Sequence, residues 1–171
     1  MPWYEGPIRN PAVTSRRSNP ANVPPIDAVE QGFRCQPLAV DLQDVTCLVV
    51  GGGKVGTRKA ILLVRAGATV TVVAPAISSA LRMLHKERRL RWVRDRYSQR
   101  LLEGQRLVVA ASNDNSLNLR IARAAERHGV FCCNTSAGKR SRVIFPAVYS
   151  AGGITVAVNS DGRDCRRSQA M

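Results

Sequence analysis

Cys47-Leu48-Val49-Val50-Gly51-Gly52-Gly53-Lys54-Val55-Gly56 is the stretch that decides the fold. Its first four residues form an unbroken apolar run, of the kind buried on both faces of a parallel sheet. Gly51, Gly53 and Gly56 then occupy the first, third and sixth positions of a turn that leads straight into a helix. Each glycine has a task in the dinucleotide-binding fingerprint. Gly51 permits the sharp turn, and Gly53 lets backbone N–H groups approach a pyrophosphate. Gly56 lets the helix pack close to the strand. The helix start at Lys54 and Val55 offers unpaired N–H donors and a partial positive charge to an anion. A purely structural turn is the alternative, and the strand before and helix after argue against it.

Outward from this turn the pattern alternates. Residues 45–50 read as a strand, 55–65 as a helix stopped by Gly67, and 69–74 as a β-branched strand. Residues 78–89 read as a helix capped by Ser78 or Ser79, followed by strands at 90–93 and 106–111. A helix then runs to His128 and Gly129, with Leu117, Ile121, Ala124 and Ala125 spaced to face the sheet. Further strands are expected at 130–133, 143–145 and 154–158. Such alternation implies an α/β fold: a Rossmann-like, doubly wound parallel sheet with right-handed crossovers. Residues 1–36 carry six prolines and little apolar periodicity, which predicts a flexible extension. The expected organisation is therefore 1–36 extension, 37–147 nucleotide-binding domain, and 148–171 a short C-terminal β extension.

The chain of 171 residues has 26 Lys and Arg against 12 Asp and Glu, a net charge of +14. That surplus suits a polyanionic partner, although an arginine-rich solvated surface would give the same composition. Nucleic acid is disfavoured, because no aromatic-and-basic interleaving or helix-turn-helix pattern is present. Cys35, Cys47, Cys132, Cys133 and Cys165 show neither C-x-x-C spacing nor an even disulfide framework, and no metal-ligand cluster is visible. Vicinal Cys132 and Cys133 would alternate faces of a strand. A reducing cytoplasm fits these thiols best. No apolar run approaches the roughly 20 residues of a membrane helix.

Ligands of such sheets lie beyond the carboxyl ends of the strands. Three ends can be named: 51–56, then Pro75 and Ala76 after the second strand, then Ser112, Asn113 and Asp114. The fingerprint's acidic residue, expected about 20 positions past the glycines, is absent, so NAD and NADP both stay open. Asp114 reads either as a helix cap or as an acid or base at the cofactor edge. His85 reads as a surface helix residue and His128 as a helix-end residue.

Taken together, residues 37–42, 47–56, 58–60, 70–75, 110–114 with Leu117 and Asn118, Phe145-Pro146, and 156–160 resemble the precorrin-2 dehydrogenase family, which includes the N-terminal module of siroheme synthase. The resemblance runs across roughly residues 37–162. It implies NAD-dependent oxidation of precorrin-2 to sirohydrochlorin in siroheme biosynthesis, with a homodimer as the working unit. The substrate is a polycarboxylate tetrapyrrole, which would account for the basic charge. By the same resemblance, Asn134, Lys139, Arg140, Arg142 and Ser160 are expected to border the substrate, arginine forks being suited to carboxylates. Arg163, Arg166 and Arg167 follow on the C-terminal stretch. The family's proposed catalytic aspartate ends the sequence Asn-Val-Val-Asp, and an ungapped match to 133–136 places Ser136 there. Ser136 and Asp114 are therefore the catalytic candidates. Family members also continue past this region into helices that complete a dimer and close the pocket. The resemblance therefore implies that 148–171 is a truncated dimerisation and substrate-pocket segment, and a partner chain completing the pocket is the other expectation. A non-catalytic nucleotide- or tetrapyrrole-binding relative is the alternative function.

Overall fold

In the computed structural model, residues 37–137 and 141–158 are described. The expected 1–36 extension lies outside them, as do Lys139, Arg140, Ser160 and the arginines beyond it. Five strands make one parallel sheet: β1 (Thr46–Val50), β2 (Thr69–Val73), β3 (Arg91–Val93), β4 (Leu107–Ala110) and β5 (Phe131–Asn134). Their spatial order is β3-β2-β1-β4-β5. The chain thus winds outward from β1 in one direction, returns, and winds outward in the other. The switch falls between β1 and β4, where Cys47 pairs with Leu107 and Val50 with Ala110.

The continuous apolar strands follow from burial on both faces. On one face Cys47, Val49, Val70, Val72 and Val109 pack under α1 (Lys54–Arg65) and α2 (Ser79–Lys86), through Ala60, Leu63 and Leu81. On the other, Leu48, Val50, Val73 and Val108 pack under α3 (Asn115–Arg127) and the 3₁₀ turn Gln99–Leu102, through Ile121, Ala124, Ala125 and Leu102. Leu48, Leu63, Leu81 and Ile121 are fully buried. Truncating any of them to alanine would cost about 2–5 kcal/mol. Cys132 and Cys133 enter the two opposite core clusters, as strand alternation requires.

Two parts differ from the sequence expectation. Residues 143–145 are not a strand. The N–H groups of Arg142 and Val143 both turn to the Cys132 carbonyl, at 2.9 and 3.1 Å, and Pro146 follows. Their apolar side chains answer to packing instead, with Val143 and Phe145 lying against the α1-side core. Second, the final strand has a partner that the sequence reading missed. β6 (Ala147–Ala151) pairs antiparallel with β7 (Ile154–Val158), Tyr149 opposite Val156 and Ala151 opposite Ile154.

Candidate functional site: the carboxyl ends of β1, β2, β4 and β5

The glycine turn emerges from β1 beside the switch point. Gly51 adopts φ +118°, and a Cβ there would collide with the Ala111 carbonyl oxygen, so only glycine fits. Gly56 would meet the Gly51 carbonyl in the same way. Gly52, which the motif reading passed over, is equally constrained: a Cβ would strike the Ala76 carbonyl and lie 2.8 Å from Ile77 Cα. Gly52 therefore holds the first loop against the loop after β2, and its carbonyl accepts the Ser78 N–H at 3.2 Å. Thr57 and Ser78 hydroxyls meet at 2.8 Å across the same seam, while Ser78 caps α2 through Leu81 N–H.

Gly53 is different. It is exposed, and nothing lies within 4 Å of where its Cβ would be. It is also the N-cap of α1, with no side-chain cap and no acid in the first turn. The first-turn N–H groups of a helix have no intrahelical acceptor. The arrangement has a tight floor at Gly51, Gly52 and Gly56, open space at Gly53, and exposed Lys54 and Val55 at the helix start. It suits a pyrophosphate, which needs close backbone approach and a positive field. Pro75 and Ala76 are exposed beside it, with no carboxylate at that place.

The loop after β4 completes the rim. Asp114 is the N-cap of α3, its Oδ1 accepting from Ser116 N–H at 2.8 Å and Leu117 N–H at 3.0 Å. That accounts for an aspartate at this position. Asn113 is exposed between Ser112 and the cap.

Behind this loop lies a polar lattice centred on Asn118, which is 0% exposed. Its Oδ1 accepts from Ser112 N–H at 3.0 Å and from Ser112 Oγ at 2.8 Å. Its Nδ2 donates to the Ser112 carbonyl at 2.8 Å and to Ser136 Oγ at 2.6 Å. A buried amide would be costly without such partners, and here every capacity is used. The signal in the sequence was an asparagine on the stripe of Ile121 and Ala125, where an apolar residue belongs. Ser136 N–H donates to Asn134 Oδ1 at 3.0 Å, and Asn134 N–H to Ser141 Oγ at 2.8 Å. Asn134 is 2% exposed, and among the described residues its Nδ2 has no acceptor.

Of the expected site residues, the structure gathers Gly51–Gly56, Pro75, Ala76, Ser112, Asn113, Asp114, Asn134 and Ser136 at one edge of the sheet. Arg142 does not join them: its guanidinium pairs with Glu126 at 2.6 Å, in the last turn of α3 and hence toward the opposite edge. With the aspartate motif's asparagine set on Asn134, the last residue of β5, the acidic position falls on Ala137 rather than Ser136. In neither register is it a carboxylate. Two quoted segments meet unexpectedly, Lys59 Nζ lying 4.2 Å from the Phe145 ring centroid. Lys59 thereby helps to fasten the 141–146 segment to α1. The described residues contain no cluster of three or more His, Cys, Asp or Glu that could hold a metal, and no helix long and apolar enough to cross a membrane.

Residues 38–147 match a family described as putative NAD(P)-binding. This chain belongs to that family. It is 40% identical over 126 residues to a siroheme synthase of Chromobacterium violaceum and 39% identical over 127 residues to siroheme synthase 1 of Yersinia enterocolitica. Each match takes in 74% of this chain but only 27% of the relative, so the chain spans about a quarter of those proteins. Among solved structures, SirC, a precorrin-2 dehydrogenase, superposes with a TM-score of 0.70 at 25% identity, over 80% of this chain and 67% of that one. The resemblance expected from the motifs and the Rossmann-like fold are both shown.

Proposed function

We propose that this chain binds a nicotinamide dinucleotide on the β1–α1 turn and oxidises precorrin-2 to sirohydrochlorin in siroheme biosynthesis. The observation that carries the reading is the open space at Gly53, over a helix start with no cap and no acid, in a chain similar to SirC across most of its length. The nicotinamide, when bound, supplies the hydride acceptor. The chain's part is to hold and orient. The first turn of α1 takes the pyrophosphate, Pro75 and Ala76 border the adenosine side, and Ser112 and Asn113 border the nicotinamide side. Lys139, Arg140 and Ser160 are proposed to take substrate carboxylates. NAD is the proposed cofactor, with NADP tested beside it because Pro75 and Ala76 stand where the fingerprint's acidic residue is expected.

A second reading is favoured by one observation: neither Ser136 nor Ala137 is a carboxylate. A serine cannot act as a carboxylate base near neutral pH, so a protein that binds without turnover is the alternative. Asp114, already the cap of α3, is proposed as the base only if Asp114→Asn loses activity selectively, since asparagine caps nearly as well. The test is anaerobic conversion of precorrin-2 by purified protein with NAD⁺ or NADP⁺, followed by sirohydrochlorin absorbance. Cofactor-dependent turnover is the expected result. Tetrapyrrole binding without turnover would establish the second reading.

A further inference from the structure

Ser136 and Asn118 together define a direction for one proton. The Ser112 backbone fixes the Asn118 amide without ambiguity, because an N–H can only donate and a carbonyl can only accept. Oδ1 faces Ser112 N–H and Nδ2 faces the Ser112 carbonyl, at 3.0 and 2.8 Å. Nδ2 is thus the donor in its 2.6 Å contact with Ser136 Oγ. The serine hydroxyl is an acceptor on that side, and its own hydrogen must point elsewhere. Among the described residues nothing accepts it, and Ser136 is exposed at the carboxyl end of β5.

We propose that Ser136 is a hydrogen-bond donor to a carboxyl or carbonyl oxygen of the bound ligand, held in that polarity by Asn118. The oxygen belongs either to a carboxylate of the tetrapyrrole or to the carboxamide of the nicotinamide. This rests on the function proposed above and changes the role of Ser136. The hydroxyl recognises an acceptor atom and removes no proton. Asn118 is a positioning residue: it ties the loop after β4 to the loop after β5, so the two candidate ligand contacts move together.

The experiment measures Kd for NAD⁺ by calorimetry and for sirohydrochlorin by absorbance titration, in wild type, Ser136→Ala, Ser136→Thr, Asn118→Asp and the Ser136→Ala/Asn118→Asp double variant. Ser136→Ala is expected to weaken one of the two ligands about tenfold. Whichever ligand weakens owns the oxygen. Ser136→Thr, which keeps the hydroxyl, recovers most of the affinity. Asn118→Asp replaces the donor by a carboxylate that itself accepts the Ser136 proton and leaves the Ser112 carbonyl without its donor, so it loses at least as much as Ser136→Ala. The double variant then loses nothing further, a non-additivity that a merely structural role would not produce. Unchanged affinity for both ligands in Ser136→Ala overturns the proposal, as does an additive double variant. Should Asn118→Asp fail to fold, the Ser136→Ala and Ser136→Thr contrast still decides the donor. Wild type that binds neither ligand removes the proposed function itself, which is a different result from wild type that binds while Ser136→Ala matches it.

Discussion

Neighbouring glycines in one turn carry opposite burdens, and substitution should separate them. Gly52→Ala drives a methyl into the Ala76 carbonyl and the Ile77 backbone. Neither can yield like a flexible side chain, so a loss of about 1–3 kcal/mol is expected, read as a lower thermal midpoint. Gly53→Asp meets open space and places a favoured capping residue at the start of α1. It should leave stability unchanged or raised while abolishing NAD⁺ binding, because its carboxylate would face the pyrophosphate. Calorimetry of both variants checks this; retained NAD⁺ affinity in Gly53→Asp would move the cofactor away from this loop. The buried thiols give a pH prediction at the same scale. Burial pushes Cys47 up to about 11 and Cys132 up to about 12, each from 9.0. The folded state therefore keeps protons that the unfolded chain releases, and the stability this contributes is whole below pH 9 and falls between about 9 and 12. Cys47→Val should make the alkaline fall in midpoint shallower.

At the scale of elements, the hairpin of β6 and β7 calls for a partner. Tyr149, Ala151, Ile154 and Val156 share one face by the observed register, and Tyr149 and Ile154 are 72% and 68% exposed. The opposite face carries the Ser150–Thr155 hydroxyl contact. An isolated two-stranded hairpin is marginal in water, so its apolar face should be covered in the working protein, and a second copy of the chain is the proposed cover. Tyr149→Ser with Val156→Ser should shift the species in light scattering from dimer toward monomer; a monomeric wild type at all concentrations would reject the dimer. The expected 154–158 strand was legible because four of its five residues, Ile154, Thr155, Val156 and Val158, are β-branched. Its partner was not, since Ala147-Val148-Tyr149-Ser150-Ala151 has small residues at both ends and carries little strand signal by itself. The parallel sheet was legible from short apolar runs, such as residues 47–50, 72–74 and 107–111, set between glycine and helix signals. The segment 143–145 reads as a strand by propensity, but its hydrogen bonds go to Cys132 and Pro146 ends it. In the site, the turn at 51–56 was legible from glycine spacing. Asn118 was not, because its role depends on a loop eighteen residues away, and Gly52 was hidden by a motif that names only its neighbours.

The whole molecule carries +14, and its charge makes two effects of salt run in opposite directions. Like charges repel in the compact state, so added salt should raise the thermal midpoint. The same field draws in a polycarboxylate, so added salt should weaken tetrapyrrole binding and slow its association. The ion pair of Arg142 with Glu126 is exposed and adds well under 1 kcal/mol. Charge alone does not distinguish a tetrapyrrole from nucleic acid, but selectivity does. Titrations with sirohydrochlorin and with an arbitrary DNA duplex across a salt series should show tetrapyrrole binding that persists near physiological ionic strength, where short-range contacts at the strand ends remain. Duplex binding, resting on phosphates alone, should collapse over the same range. Duplex affinity that equals or exceeds tetrapyrrole affinity at that salt would assign the basic surface to nucleic acid and overturn the polycarboxylate reading.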